Sequence, residues 1–228
     1  MIVAERKPFD EIKDMIKGYN KVLILGCGTC VSVCMAGGEK EVELLASEVR
    51  MARRLEDEDI EIGEATIQRQ CDREYIEPVV EKAKTYEAVL SMACGAGVQL
   101  VAEVLAPMIV VPALNTRFIG ITEEEGVWAE KCIGCGNCVL ADYAGICPNA
   151  LCAKSLANGP CGGSKNGKCE SGTGSDCAWV LIYNRLKQQN KLDIIREFVP
   201  PRNNNLQAHP ARQVNQAYQK PEVEDTVS

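Results

Sequence analysis

The chain has 228 residues, enough for one or two domains with a sizeable core, and its net charge of −7 argues against a nucleic-acid partner. It has no apolar run long enough to span a membrane and no charged-then-apolar leader after Met1, so its 13 cysteines read as metal ligands in a reducing cytoplasm rather than as disulfides. The single histidine, His209, lies in a polar tail far from the cysteines, which disfavours histidine-bearing zinc sites and Rieske-type centres.

Residues 21–25 (Lys-Val-Leu-Ile-Leu) form a continuous apolar run of strand length. A helix is predicted over 39–54, after Gly37 and Gly38. Glu39, Glu41 and Glu43 open it and Arg50, Arg53 and Arg54 close it, a polarity that complements the helix dipole. Residues 64–68 read as a second strand, and Asp72 caps a helix over 73–85. A third strand over 88–92, a helix over 97–106 and a fourth strand over 108–111 complete the alternation. That order predicts an α/β fold with a small, doubly wound parallel sheet. A boundary falls within 115–131, where Thr122-Glu-Glu-Glu-Gly126 breaks the pattern. The expected organisation is an α/β domain over 1–120, a ferredoxin-like cysteine-rich module over 121–190, and an extended or partner-bound tail over 191–228. Helical patterns over 179–190 and 192–198 end the module. From Val199 on, the chain has too little apolar content to build a core, so it either stays unpacked or orders on a partner subunit.

The cysteines divide between the halves as five and eight. Cys27, Cys71 and Cys94 each follow a predicted strand, and Cys30 and Cys34 are spaced to share a helical face. In a parallel sheet those strand ends lie on one edge, where open α/β folds place their ligands. Four of the five suffice for a [4Fe–4S] cluster or a four-thiolate zinc site, leaving one as a plain buried thiol. Two other patterns fall short. Gly26-Cys-Gly28 lacks the third glycine of a dinucleotide fingerprint, because Val31 stands there. Cys27-Gly-Thr-Cys30 has the spacing of a redox dithiol, but Cys34, Cys71 and Cys94 make a metal the better reading.

The second group opens with Cys132-Ile-Gly-Cys135-Gly-Asn-Cys138 and continues through Cys147-Pro148, Cys152, Cys161, Cys169 and Cys177. Three thiolates at C-x2-C-x2-C spacing can wrap one cubane, and bacterial ferredoxins add a proline-flanked cysteine that serves the other cluster. Eight cysteines match two [4Fe–4S] clusters; a pair of structural zinc sites is the alternative. By the ferredoxin pattern, Cys132, Cys135 and Cys138 share a cluster with Cys177, while Cys147 joins Cys152, Cys161 and Cys169. Gly134 and Gly136 let backbone amides turn toward the sulfurs.

Together these residues resemble a known family. The relevant motifs are Gly26-Cys-Gly-Thr-Cys30, Cys34-Met-Ala-Gly-Gly38, Arg69-Gln-Cys71, Ala93-Cys-Gly-Ala-Gly-Val-Gln99 and the 132–138 triplet, followed by Gly145-Ile-Cys-Pro148, Asn158-Gly-Pro-Cys-Gly-Gly163 and Asp176-Cys-Ala-Trp179. Over roughly residues 10 to 190 the chain is similar to the small cysteine-rich subunits that accompany flavin-containing methylenetetrahydrofolate reductase in acetogenic bacteria. The related domain is called the methylenetetrahydrofolate reductase C-terminal, or zinc-binding, domain. The resemblance implies a cytoplasmic, non-catalytic electron-relay subunit. Two [4Fe–4S] clusters would lie in the second half and a third, or a zinc, in the first. FMN or FAD and the folate would be held by the partner, which reduces 5,10-methylenetetrahydrofolate to 5-methyltetrahydrofolate; further electron-donor subunits would complete the complex.

Overall fold

The computed structural model describes residues 1–207 and 209–218, and contacts divide the chain into two compact units, Met1–Ile133 and the part from Gly134 onward. The first unit begins with β1 (Ile2–Arg6), α1 (Phe9–Ile16), β2 (Lys21–Cys27), the short α2 (Cys30–Val33) and α3 (Glu39–Leu55). It continues with β3 (Glu61–Ile67), α4 (Arg73–Ala83), β4 (Ala88–Met92), α5 (Gly95–Val104), β5 (Ile109–Pro112), β6 (Leu114–Glu124) and β7 (Val127–Cys132).

A parallel sheet runs β3-β2-β4-β5. Val22, Leu23, Ile24 and Leu25 of β2 are all fully buried, as a central strand covered on both faces requires. Alternation sends Val22 and Ile24 to one side, where Val42, Leu45 and Val49 of α3 and Ile12 and Ile16 of α1 meet them. Leu23 and Leu25 go to the other side, against Ile76 and Val79 of α4 and Val101 of α5. The sheet is therefore covered on both faces, as expected from the sequence. The strand order reverses between β2 and β4, which makes that crevice the topological switch point. Arg53, read from the sequence as a helix-end charge, is 6% exposed and donates to the Ile16 carbonyl at 2.8 Å, tying α3 to the end of α1.

A second, antiparallel sheet, β1-β6-β7, was not expected from the sequence. Thr122-Glu-Glu-Glu-Gly126 does not end the sheet structure. It closes a hairpin in which Glu124 faces Val127 across a turn completed by Gly126 at φ +82°. β6 is mostly exposed and carries Arg117, Thr122 and Glu123, so it shows no continuous apolar run.

The second unit has a small core of Tyr143, Ile146, Trp179, Ile182 and Leu186. Its regular elements among the described residues are α6 (Pro148–Leu151), α7 (Ala178–Gln188), three 3-10 turns and two isolated β-bridges. Tyr143 and Trp179 meet edge-on at 5.3 Å. Their polar tips donate to the Ala157 and Leu156 carbonyls at 3.2 and 3.0 Å, fixing the loop that leads to Cys161. The segment after α7 returns to its own unit. Arg202 donates to the Cys135 carbonyl at 3.0 Å, and a Cβ on Gly136, which has φ +75°, would lie 2.6 Å from the Leu206 carbonyl oxygen.

Candidate metal centres

Cys27, Cys30, Cys71 and Cys94 lie where β2, β3 and β4 end. Cys27 is the last residue of β2 and Cys30 the first of α2. Cys71 precedes Asp72, whose side chain accepts from the Glu74 amide at 3.3 Å to cap α4. Cys94 is the N-cap of α5. Backbone bonds hold these loops together: the Gly28 amide donates to the Ile67 carbonyl at 2.9 Å and the Cys27 amide to the Gly37 carbonyl at 2.8 Å.

A fully buried side chain links the three strand ends. Gln70 is 0% exposed; its Nε2 donates to the Leu25 carbonyl at 2.8 Å, and its Oε1 accepts from the equally buried Ser91 hydroxyl at 2.6 Å. Gly97 of α5 fits against it because a Cβ there would sit 2.9 Å from the Gln70 Cβ. Leu25, Gln70 and Ser91 each lie within three residues of a cysteine: Cys27, Cys71 and Cys94. Cys71 is exposed, but packing on its inner side raises its thiol pKa, and the neighbouring Cys94 and Cys27 thiols raise it further.

Cys34 behaves differently. It is 4% exposed and points to β1: its sulfur accepts from the Ala4 amide and donates to the Ala4 carbonyl, both at 3.5 Å. Burial first, then the Cys30 thiol and Glu41, raise its pKa. Cys34 is thus held against β1, in surroundings unlike those of the strand-end cysteines.

In the second half, Cys132 closes β7, and Cys135 and Cys138 lie in the following loop. Cys147 and Cys152 flank α6, which brings the Asn149 amide nitrogen to 4.0 Å from the Cys135 sulfur. Cys161 accepts from Lys154 Nζ at 3.7 Å and from the Gly163 amide at 3.4 Å, and Lys154 also pairs with Glu170. Hydrogen bonds from Ser171 lower the Cys169 pKa, and Lys154 lowers it further, so Cys161 and Cys169 share one cation. Cys177 is the N-cap of α7 and, with Cys152, packs against the Tyr143–Trp179 core.

Among the described residues, no three Cys, His, Asp or Glu side chains converge closely enough to hold one ion. The donor chemistry is uniform nonetheless: sulfur atoms only, with lysine, amide and helix-end donors around them, a set that suits thiophilic iron or zinc. The sequence pattern did not reveal Gln70, Asn149, Lys154 or Arg202. Gln70 and Asn149 lie next to or between cysteines, but only the fold shows that one is buried and the other faces Cys135.

Residues 111–205 match the family model described as methylene-tetrahydrofolate reductase C terminal. All eight cysteines from Cys132 to Cys177 lie within that match, and the five of the first group lie before it. No curated protein and no solved structure matches the chain. No helix among the described residues is long and apolar enough to cross a membrane. The similarity to the methylene-tetrahydrofolate reductase C-terminal family is thus confined to residues 111–205, less than half of the chain.

Proposed function

We propose that this chain is the iron–sulfur electron-transfer subunit of a methylenetetrahydrofolate reductase complex, passing electrons to a flavin held by a partner subunit. The observation that carries this reading is the match over 111–205, which encloses the eight-cysteine series with its C-x2-C-x2-C opening. Cys132, Cys135, Cys138 and Cys177 would hold one [4Fe–4S] cluster, and Cys147, Cys152, Cys161 and Cys169 the other. A third metal centre would draw on Cys27, Cys30, Cys71 and Cys94. Such clusters supply one-electron transfer at a potential set by the protein around them. The residues of this chain do the holding and the tuning. Lys154, the Gly163 amide and Asn149 direct donors at the sulfurs of Cys161 and Cys135, and the N-termini of α5 and α7 face Cys94 and Cys177.

The competing reading is a zinc-binding assembly subunit that positions the reductase without carrying electrons. Cys135→Ser separates the two. The protein should copurify with a flavin-bearing reductase subunit, and in the variant an artificial dye should still reduce that flavin while the natural donor fails. A variant that loses its cluster yet still delivers electrons from the natural donor would overturn the relay.

A further inference from the structure

The segment after Val199 reads from composition as a tail without a core, yet it makes two specific contacts with the first cysteine loop of its own unit. Pro200 and Pro201 hold the chain extended into Arg202. Arg202 Nη2 donates to the Cys135 carbonyl at 3.0 Å and to Gln207 Oε1 at 3.1 Å. Four residues on, the Leu206 carbonyl rests on Gly136, where any side chain would collide with it: a Cβ would stand only 2.6 Å away. The segment thus grips two consecutive residues, Cys135 and Gly136, inside the C-x2-C-x2-C run. Gly136 has a role beyond turning amides toward sulfur, because its missing side chain is what lets the segment seat.

The guanidinium also carries a donor with no acceptor. Arg202 Nε is buried and has no hydrogen-bond partner among the described residues. Buried N–H groups nearly always find a partner. An electron-rich group at the Cys135 loop would satisfy this donor and match the positive charge of the guanidinium, and thiolate and sulfide sulfurs are such acceptors.

We infer that Arg202 is a positioning residue for the cluster of the Cys132–Cys135–Cys138 triplet. It fixes Cys135 through its carbonyl and sets one positive charge beside the cluster. Reduction adds negative charge to a cluster, so a nearby cation favours the reduced form and raises the potential. The inference rests on the iron–sulfur reading proposed above, but its positioning half holds for any metal bound by the triplet.

The test uses the full chain, purified anaerobically, as wild type, Arg202→Gln, Arg202→Lys and Gly136→Ala. In an EPR-monitored redox titration, Arg202→Gln should lower the potential of one cluster and leave the others alone. The expected change is about tenfold in that cluster's reduced-to-oxidised ratio at fixed potential, roughly 59 mV for a one-electron couple. Arg202→Lys, which keeps the charge, should recover part of the shift. Gly136→Ala, which unseats the segment without touching the guanidinium, should reproduce it. A chelator should also extract metal from that site at least several-fold faster in Arg202→Gln than in wild type. Equal potentials and equal extraction rates in wild type and Arg202→Gln would overturn the inference. Wild type that holds zinc and gives no cluster signal would end the iron–sulfur reading and the tuning role with it. Extraction rates would then decide positioning alone: faster loss from Arg202→Gln supports it, and an equal rate overturns it.

Discussion

In the first unit, Cys27, Cys71 and Cys94 stand at the ends of strands whose cores, on both faces of the parallel sheet, are built from fully buried Ile, Leu and Val. In the second, Cys135, Cys138, Cys161 and Cys169 lie on loops beside a core of five buried side chains. Under the proposed ligation, one unit would build its site on a sheet packed on both faces, while the other, with its small core, would depend on its site to fold, as small metal-dependent domains do.

The largest effect that would break this comparison is metal removal. Anaerobic chelation should abolish hydrogen-exchange protection across residues 134–190 while peptides from β2 and β4 stay protected. Simultaneous loss in both units would show that the first unit also depends on metal.

Gln70→Leu sharpens the contrast from the other side. It leaves the Leu25 carbonyl and Ser91 hydroxyl unpaired in the core, at roughly 1–3 kcal/mol each. The apo first unit should lose about 2–4 kcal/mol in urea denaturation yet still fold. In the anaerobically purified protein, metal of the first unit should fall at least tenfold in affinity, as outer-shell changes typically cause, while metal of the second unit is retained. Full metal content with unchanged affinity would remove Gln70 from the site.

A smaller effect separates the cysteines within the first unit. Cys34→Ala removes two weak bonds to Ala4 and should cost on the order of 1 kcal/mol of stability without changing metal content, whereas Cys27→Ser should empty the site. Loss of metal from Cys34→Ala would place Cys34 among the ligands instead.

The smallest effect is on pH dependence. The Cys34 pKa is raised in the folded chain, so its contribution to stability is complete below the ordinary thiol pKa and is lost as pH climbs through the folded value. The Cys169 pKa is lowered. In the metal-free chain, Cys169 should therefore react with iodoacetamide at lower pH than Cys34 or Cys71, a ranking that peptide mass spectrometry reads directly. Equal pH profiles would show that the local environments do not differ.

The contrast also explains what could be read in the sequence. Strands buried on both faces appear as apolar runs, so the parallel sheet and the gathering of Cys27, Cys71 and Cys94 at one edge followed from topology. The β1-β6-β7 sheet was illegible because β6 exposes charged and polar residues along most of its length and its hairpin turn resembles a linker. The distinct environment of Cys34 was hidden with it, since its partner, Ala4, lies on β1. Arg202 escaped notice for a different reason. Its contact is made to a backbone carbonyl beside a glycine, and neither leaves a pattern in composition or period.

Anaerobic quantitation of iron, acid-labile sulfide and zinc per chain tests the electron-transfer account most directly. Four ligands among the five cysteines from Cys27 to Cys94 and the eight from Cys132 to Cys177 call for three cubanes, so the account predicts about twelve irons with matching sulfide. About eight irons with one zinc would keep the relay and reassign the first unit's site. Stoichiometric zinc with almost no iron would contradict the account.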